Sequence, residues 1–269
     1  MKIDATITAQ SIPQGALEGR TAVVIDVLRA TSTITTALAS GCHAVFPVLT
    51  IKEARETVEL LAGGRGAGAS AVRGGTAGRR GACGTHSPLL GGERLARRIE
   101  GFDLGNSPSE YTPEAVSGRV IIHTTTNGTR ALRAAAGSTR VLAGCFLNAE
   151  AVAGAAAGFG EDVLLACAGT RGCFSADDTA CAGLIAGLIL ELFPGRVVLS
   201  STVEVALELY RSRRGRLIEL LGEIRSGGYL KELGLYEDIE FCSRINHFQV
   251  VPILNDGAML ALERIAVPG

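Results

Sequence analysis

The chain has 269 residues, 47% of them hydrophobic and 20% charged, with a formal charge of -1, so a large core is available and a disordered class is excluded. Near-neutral charge gives no whole-molecule field for nucleic acid or membrane, and aromatic residues at 4% without a Trp exclude base-stacking platforms. Any anion site must therefore be local.

The opening residues, MKIDATITAQ, place acid and polar groups where a signal peptide needs an apolar core. The most apolar later run, Ala182 to Leu190, is about half a membrane span. A soluble, cytoplasmic protein with neither membrane nor nucleic-acid partner is expected, and a homo-oligomer stays open. Cys42, Cys83, Cys145, Cys167, Cys173, Cys181 and Cys242 are odd in number, form no C-x-x-C and mostly sit among small or apolar residues, which predicts buried free thiols. The four histidines show no zinc spacing.

In chain order, the first clear element is "VVIDVLRATSTITTAL", Val23 to Leu38. A β-branched apolar run stops on Asp26, then Arg29 and the hydroxyls of Thr31, Ser32 and Thr33 lead into a helix of small residues. The same pattern returns in "VIIHTTTNGTRALRAA", which begins at Val120, and in "VLLACAGTRGCFSADDTACAG", Val163 to Gly183. Further apolar runs at Ala44 to Leu49 and Arg140 to Leu147 follow the first two helices at βαβ spacing. Continuous apolar strands are those buried on both faces. The predicted fold is therefore α/β, layered α/β/α, with a largely parallel or mixed sheet built from repeated strand-loop-helix units.

Between the first two units, Gly63 to Gly92 is rich in Gly and Arg and has no acid, which predicts a mobile surface loop able to close over a site. The last quarter predicts a long helix from about Ser201 through Ile224, stopped at Ser226-Gly227-Gly228, and a short helix near Glu237 to Asn246. A hairpin about Asn255-Asp256-Gly257 follows, and it would add antiparallel edge strands to the sheet. No linker is evident, so the chain reads as one unit, 1–269, whose subdomains would be about 1–195 and 196–269.

Ligands of open parallel sheets sit at the carboxyl ends of strands, where all three polar loops fall. A Thr/Asn/Gly loop entering a helix is an anion seat: Asn127 or Thr126 can cap, while Gly128, Thr129 and Arg130 offer donors. Asp26, Glu93, Asp103, Asp177 and Asp178 supply carboxylates. Magnesium often takes only one or two protein carboxylates, with water and substrate oxygens completing its shell, so the acids and anion seats together suggest metal-assisted phosphate chemistry. No Walker A loop is present, and no G-x-G-x-x-G follows a predicted strand. Leu28 stands where a haloacid-dehalogenase-type phosphatase would need its second Asp.

"VVIDVLRATSTITTALASG", "GGERLARRIEGFDLGNSPSEYT", "HTTTNGTRAL", "FLNAEAVA" and "CAGTRGCFSADDTACAGLI", in this order, resemble the 2-phosphosulfolactate phosphatase family, with weaker agreement through "CSRINHFQVVPIL". The resemblance implies a magnesium-dependent phosphatase that releases phosphate from 2-phospho-3-sulfolactate, or a related phosphorylated hydroxy acid, as a step toward coenzyme M. Under it Asp26 is a magnesium ligand or base, Asp178 joins it in catalysis, and Glu93, Asp103, Asp177 and Asp178 complete the metal candidates. Arg29, Arg94, Arg130 and Arg171 face the anionic substrate, Arg171 at its distal acid, and Thr31 to Thr33 open an anion-binding helix. Water activated at the metal is the preferred mechanism and a phospho-aspartate at Asp26 the alternative. A phosphometabolite-binding protein without turnover is the rival class.

Overall fold

Val23 and Ile25 face one core and Ala22 and Val24 another, so the strand that carries them is buried on both sides, as its unbroken apolar run predicts. A computed structural model describes residues 1–13, 15, 17–62 and 87–262; most of the Gly/Arg-rich segment, 63–86, lies outside the described residues, and with it the loop expectation. The end of that segment, Leu89 to Gly92, is not loop but the start of a strand.

The strands are β1 (Lys2–Thr6), β2 (Arg20–Ile25), β3 (Ala44–Pro47), β4 (Leu89–Arg94), β5 (Arg97–Arg98), β6 (Val120–Thr124), β7 (Arg140–Gly144), β8 (Asp162–Cys167), β9 (Val198–Leu199), β10 (Pro252–Asn255) and β11 (Ala258–Ala261). The helices are α1 (Ala30–Ala39), α2 (Ile51–Ala62), α3 (Pro113–Val116), α4 (Gly128–Ala135), α5 (Ala149–Gly158), α6 (Ala176–Leu192), α7 (Ser201–Arg213), α8 (Leu217–Glu223), α9 (Arg225–Glu232) and α10 (Tyr236–Cys242). One mixed, mostly parallel sheet runs β5-β4-β6-β3-β11-β10-β7-β2-β8-β1-β9, and the layered α/β architecture stands as predicted.

Its topology departs from simple βαβ units. Strands β4, β6 and β3 form one parallel block, and β7, β2, β8, β1 and β9 form another. Unit β2-α1-β3 leaves the second block for the first, and β6-α4-β7 returns, so the two crossing helices serve both blocks. Ile34 and Ala37 of α1, and Ala131 and Leu132 of α4, share a core with Val24, Val45, Ile121 and Val141. A helix in that position needs small side chains, and its hydroxyls must find partners locally. Thr36 Oγ1 accordingly donates to the Ser32 carbonyl, as buried hydroxyls within helices do.

The C-terminal hairpin is not at an edge. β10 pairs with β7, β11 pairs with β3, and together they join the blocks antiparallel to each. The expected helix 201–224 is broken at Gly215, a poor helix former, into α7 and α8. The expected stop at Ser226-Gly227-Gly228 instead opens α9. A side chain at Gly227 would strike the Leu221 carbonyl, so glycine here permits α9 to fold back on α8. Among the described residues six cysteines are free, five of them buried, and no helix is long and apolar enough to cross a membrane.

Candidate active site

The polar ends of β2, β4, β6 and β8 meet in one cleft of about 90 Å³. Asp26, Thr125, Thr126, Asn127 and Thr170 form its polar side, Leu28, Leu95, Tyr229 and Leu230 its apolar side, with Arg171 at the rim. Contact between loops is close. A Cβ on Gly128 would collide with Ala30 Cβ and stand 2.8 Å from Asp26 Oδ2, so only glycine lets α4 begin against α1. The loops are also tied by hydrogen bonds: the Arg171 N–H donates to Asn127 Oδ1 (3.1 Å), and the Thr126 N–H to Glu93 Oε1 (2.8 Å).

Asp26 ends its strand just before α1, and its Oδ1 accepts the Ala30 N–H at 3.1 Å, which places a carboxylate at the positive end of the helix. Oδ2 takes no hydrogen bond from a described residue. Burial pushes this carboxyl up to about 7; the charges of Asp177 and Glu93 add to the push, while the Ala30 N–H and Arg29 oppose it. Burial likewise raises Asp177, against a hydrogen bond from Ser175 Oγ. Asp178 is raised well above the usual carboxylate range, by burial first and then by Asp177 and Asp26. Both its oxygens are occupied, by the N–H groups of Val27 (2.9 Å) and Gly169 (3.0 Å), so Asp178 joins the loops after β2 and β8.

Glu93 acts similarly, since its second oxygen accepts the Ala96 N–H at 2.8 Å. The structure does not bring Asp103 to the cleft: it is exposed and accepts the Leu90 N–H, three residues back along β4 from Glu93. Among the described residues no three His, Cys, Asp or Glu side chains already converge as a metal cage.

The anion-binding candidates divide in the same way. The hydroxyls of Thr31, Ser32 and Thr33 donate to the carbonyls of Asp26, Val27 and Asn106, so they fasten the start of α1. Arg29 lines the cleft, but it is buried in an ion pair with Asp238 at 2.6 Å and also donates to the Ala96 carbonyl. Arg94 donates to the carbonyls of Glu93 and Leu49 and to Thr124 Oγ1, and it lines a separate, open depression beside Arg55, Arg97 and Arg98. At the start of α4 the cap is neither Thr126 nor the Asn127 side chain. Thr125 Oγ1 accepts the Thr129 N–H at 3.2 Å. Arg130 is exposed in an adjoining depression that it shares with Asn127 and Arg171. Arg171 reaches both, and its guanidinium lies 5.6 Å from the Tyr229 ring centroid.

Sequence reasoning missed Asn106, Asp238, Ser226 and Tyr229. Asn106 sat in a quoted motif, where Gly105-Asn106-Ser107-Pro108 reads only as a turn. Asp238 and Tyr229 lie on C-terminal helices whose local sequence looks like ordinary helix surface, and Ser226 stands in the Ser-Gly-Gly run that reads only as a helix stop.

A family model described as 2-phosphosulpholactate phosphatase matches residues 6–73 and 76–257. The chain belongs to the 2-phosphosulfolactate phosphatase family. Among relatives named probable 2-phosphosulfolactate phosphatase, that of Symbiobacterium thermophilum is 42% identical over 93% of this chain and 98% of its own. The Clostridium acetobutylicum protein is 38% identical over 97% of this chain and 100% of its own, and that of Caldanaerobacter subterraneus 39% over 93% and 94%. A phosphatase of this family is a phosphoric monoester hydrolase, and the match spans every loop of the cleft.

Proposed function

We propose that this protein hydrolyses 2-phospho-3-sulfolactate, or a closely related phosphorylated hydroxy acid, to the free hydroxy acid and phosphate. The observation that carries the reading is Asp26, a buried carboxyl at the junction of three loops whose Oδ2 takes no hydrogen bond from a described residue, and burial pushes its pKa up to about 7. A group poised near neutral pH can accept a proton from water and return it. Arg171, at the rim, is suited to attract and orient the anionic ester, and Asn127 fixes the backbone of the Arg171 loop. As water adds to phosphorus, Asp26 takes its proton and the ester P–O bond breaks. The departing alkoxide oxygen recovers a proton from solvent, and Asp26 releases its own to reset the cleft.

Magnesium is the proposed cofactor. The donors are oxygens throughout, and a cation would relieve the repulsion that Asp177 and Glu93 impose on Asp26. Asp177, beside Asp26, would hold it, which leaves the uncommitted Oδ2 of Asp26 to receive the proton of the attacking water. When bound, the ion supplies charge neutralisation at the phosphoryl oxygens.

Phosphate release from phosphosulfolactate, measured with magnesium and after chelation, tests the reading. Turnover is expected only with the metal, and Asp26→Asn is expected to lower kcat by about 10²-fold or more. Full turnover after chelation overturns the metal requirement. Tight ligand binding without any phosphate release would leave a binding protein rather than an enzyme.

A further inference from the structure

Asn106 lines the cleft, is 5% exposed, and has an Oδ1 atom without a hydrogen-bond partner. A buried polar atom left unpaired is destabilising, and in native proteins it marks a place where a ligand or water completes the bonding. The backbone of the residue is fixed on both sides, so its side chain stays at the cleft, while the terminal amide can still turn about its own bond. Thr33 Oγ1 donates to the Asn106 carbonyl at 2.9 Å, and the next residue, Ser107, donates its hydroxyl to Asp238, the carboxylate that also holds Arg29. Ser226, on α9, repeats the pattern: it lines the same cleft, and its buried Oγ also lacks a partner. Two unsatisfied polar groups, from segments far apart in the chain, thus border one small space.

We propose that Asn106 and Ser226 form the subsite for the acidic end of the substrate, the carboxylate or sulfonate remote from the scissile phosphate, and that Asn106 sets the preference for such esters. The proposal rests on the phosphatase reading above. The amide presents Nδ2 after a half-turn of its terminal group, and the serine hydroxyl rotates freely, so both can donate to an oxyanion. Neither adds a charge that would need desolvation in a half-apolar cleft. Arg171, beside Tyr229 at the rim, supplies the attraction, while the two neutral donors fix the position of the oxyanion.

The test compares kcat/KM on phosphosulfolactate and on p-nitrophenyl phosphate, which lacks the distal acid, for the wild-type protein, Asn106→Ala, Asn106→Asp and Ser226→Ala. Asn106→Ala is expected to lose at least about 10-fold more on phosphosulfolactate than on the aryl ester, mainly through KM, the signature of a lost charge-assisted contact to a remote group. Asn106→Asp, nearly isosteric but anionic, is expected to be worse than Ala. Ser226→Ala should shift the same ratio by about 3-fold, and it preserves the test if the Asn106 variants fail to fold. Equal losses on both substrates, or an Asp variant better than Ala, overturn the subsite. Wild-type protein active on the aryl ester but idle on phosphosulfolactate overturns the substrate reading, and the subsite with it; the failures differ in whether the wild type turns over phosphosulfolactate.

Discussion

A carboxyl that prefers its neutral form in the folded chain makes stability fall as pH rises. Asp26 moves from 3.8 to about 7 on folding. Below the unfolded value both states hold the proton and the stability is fully present; between the two values the unfolded chain releases its proton first, and above about 7 the loss is complete. Asp177 and Asp178 are raised by burial as well and act in the same direction. The metal-free protein is therefore expected to melt at a lower temperature at about pH 8 than at about pH 5, and magnesium, which binds the ionised carboxylate, should recover more at the higher pH. Melts followed by circular dichroism would contradict this if the metal-free melting temperature rose with pH. Asp26 was legible in the sequence because an acid closing an apolar strand is locally conspicuous. Asp238 was not, since its distinction lies in partners, Arg29 and Ser107, from remote parts of the chain. Nothing local to His123 signals that burial pushes its imidazole down to about 3, so that it stays neutral.

At the scale of elements, helices meet where glycine removes a side chain. A Cβ on Gly183 of α6 would collide with the Ala206 carbonyl of α7 and lie 2.8 Å from the Leu207 N–H nitrogen. Four residues on, a Cβ on Gly187 would meet only Leu207 Cδ1, at 3.2 Å, the movable end of a side chain. Gly183→Ala should therefore cost about 1–3 kcal/mol through overpacking, lowering the melting temperature by roughly 2–10 °C. Gly187→Ala should be tolerated or mildly stabilising, because alanine favours the helix. Equal effects in thermal melts would show that the α6–α7 crossing is not tight. Both glycines sit in one small-residue helical pattern, so the sequence revealed the helix but not which of them is indispensable. The strand-loop-helix units were legible from apolar runs and hydroxyl-rich loops. The hydroxyls themselves were misleading, because Thr31, Ser32 and Thr33 serve the helix start rather than an open anion seat.

Across the whole molecule, the arrangement of strands follows from contacts that no single segment encodes. The β10–β11 hairpin was visible in its Asn-Asp-Gly turn, yet its place between β7 and β3 depends on two helices crossing between blocks. Removal of the chain after Phe248 takes away both strands. The shortened protein is expected to lose its cooperative thermal transition, as followed by circular dichroism, and not merely to melt earlier. A sharp transition surviving the cut would show that the blocks stand without their connector. The position of that hairpin also has a consequence for synthesis. Strands β3 and β7 leave the ribosome long before β10 and β11, so each growing chain carries two apolar strand flanks awaiting partners made much later. Neighbouring nascent chains on one message offer each other the wrong partners during that wait, and such open flanks are where misassembly begins. Slow translation of the stretch between β7 and β10 would prolong that exposure, whereas a chaperone covering either flank would shorten the list of mistakes available to it.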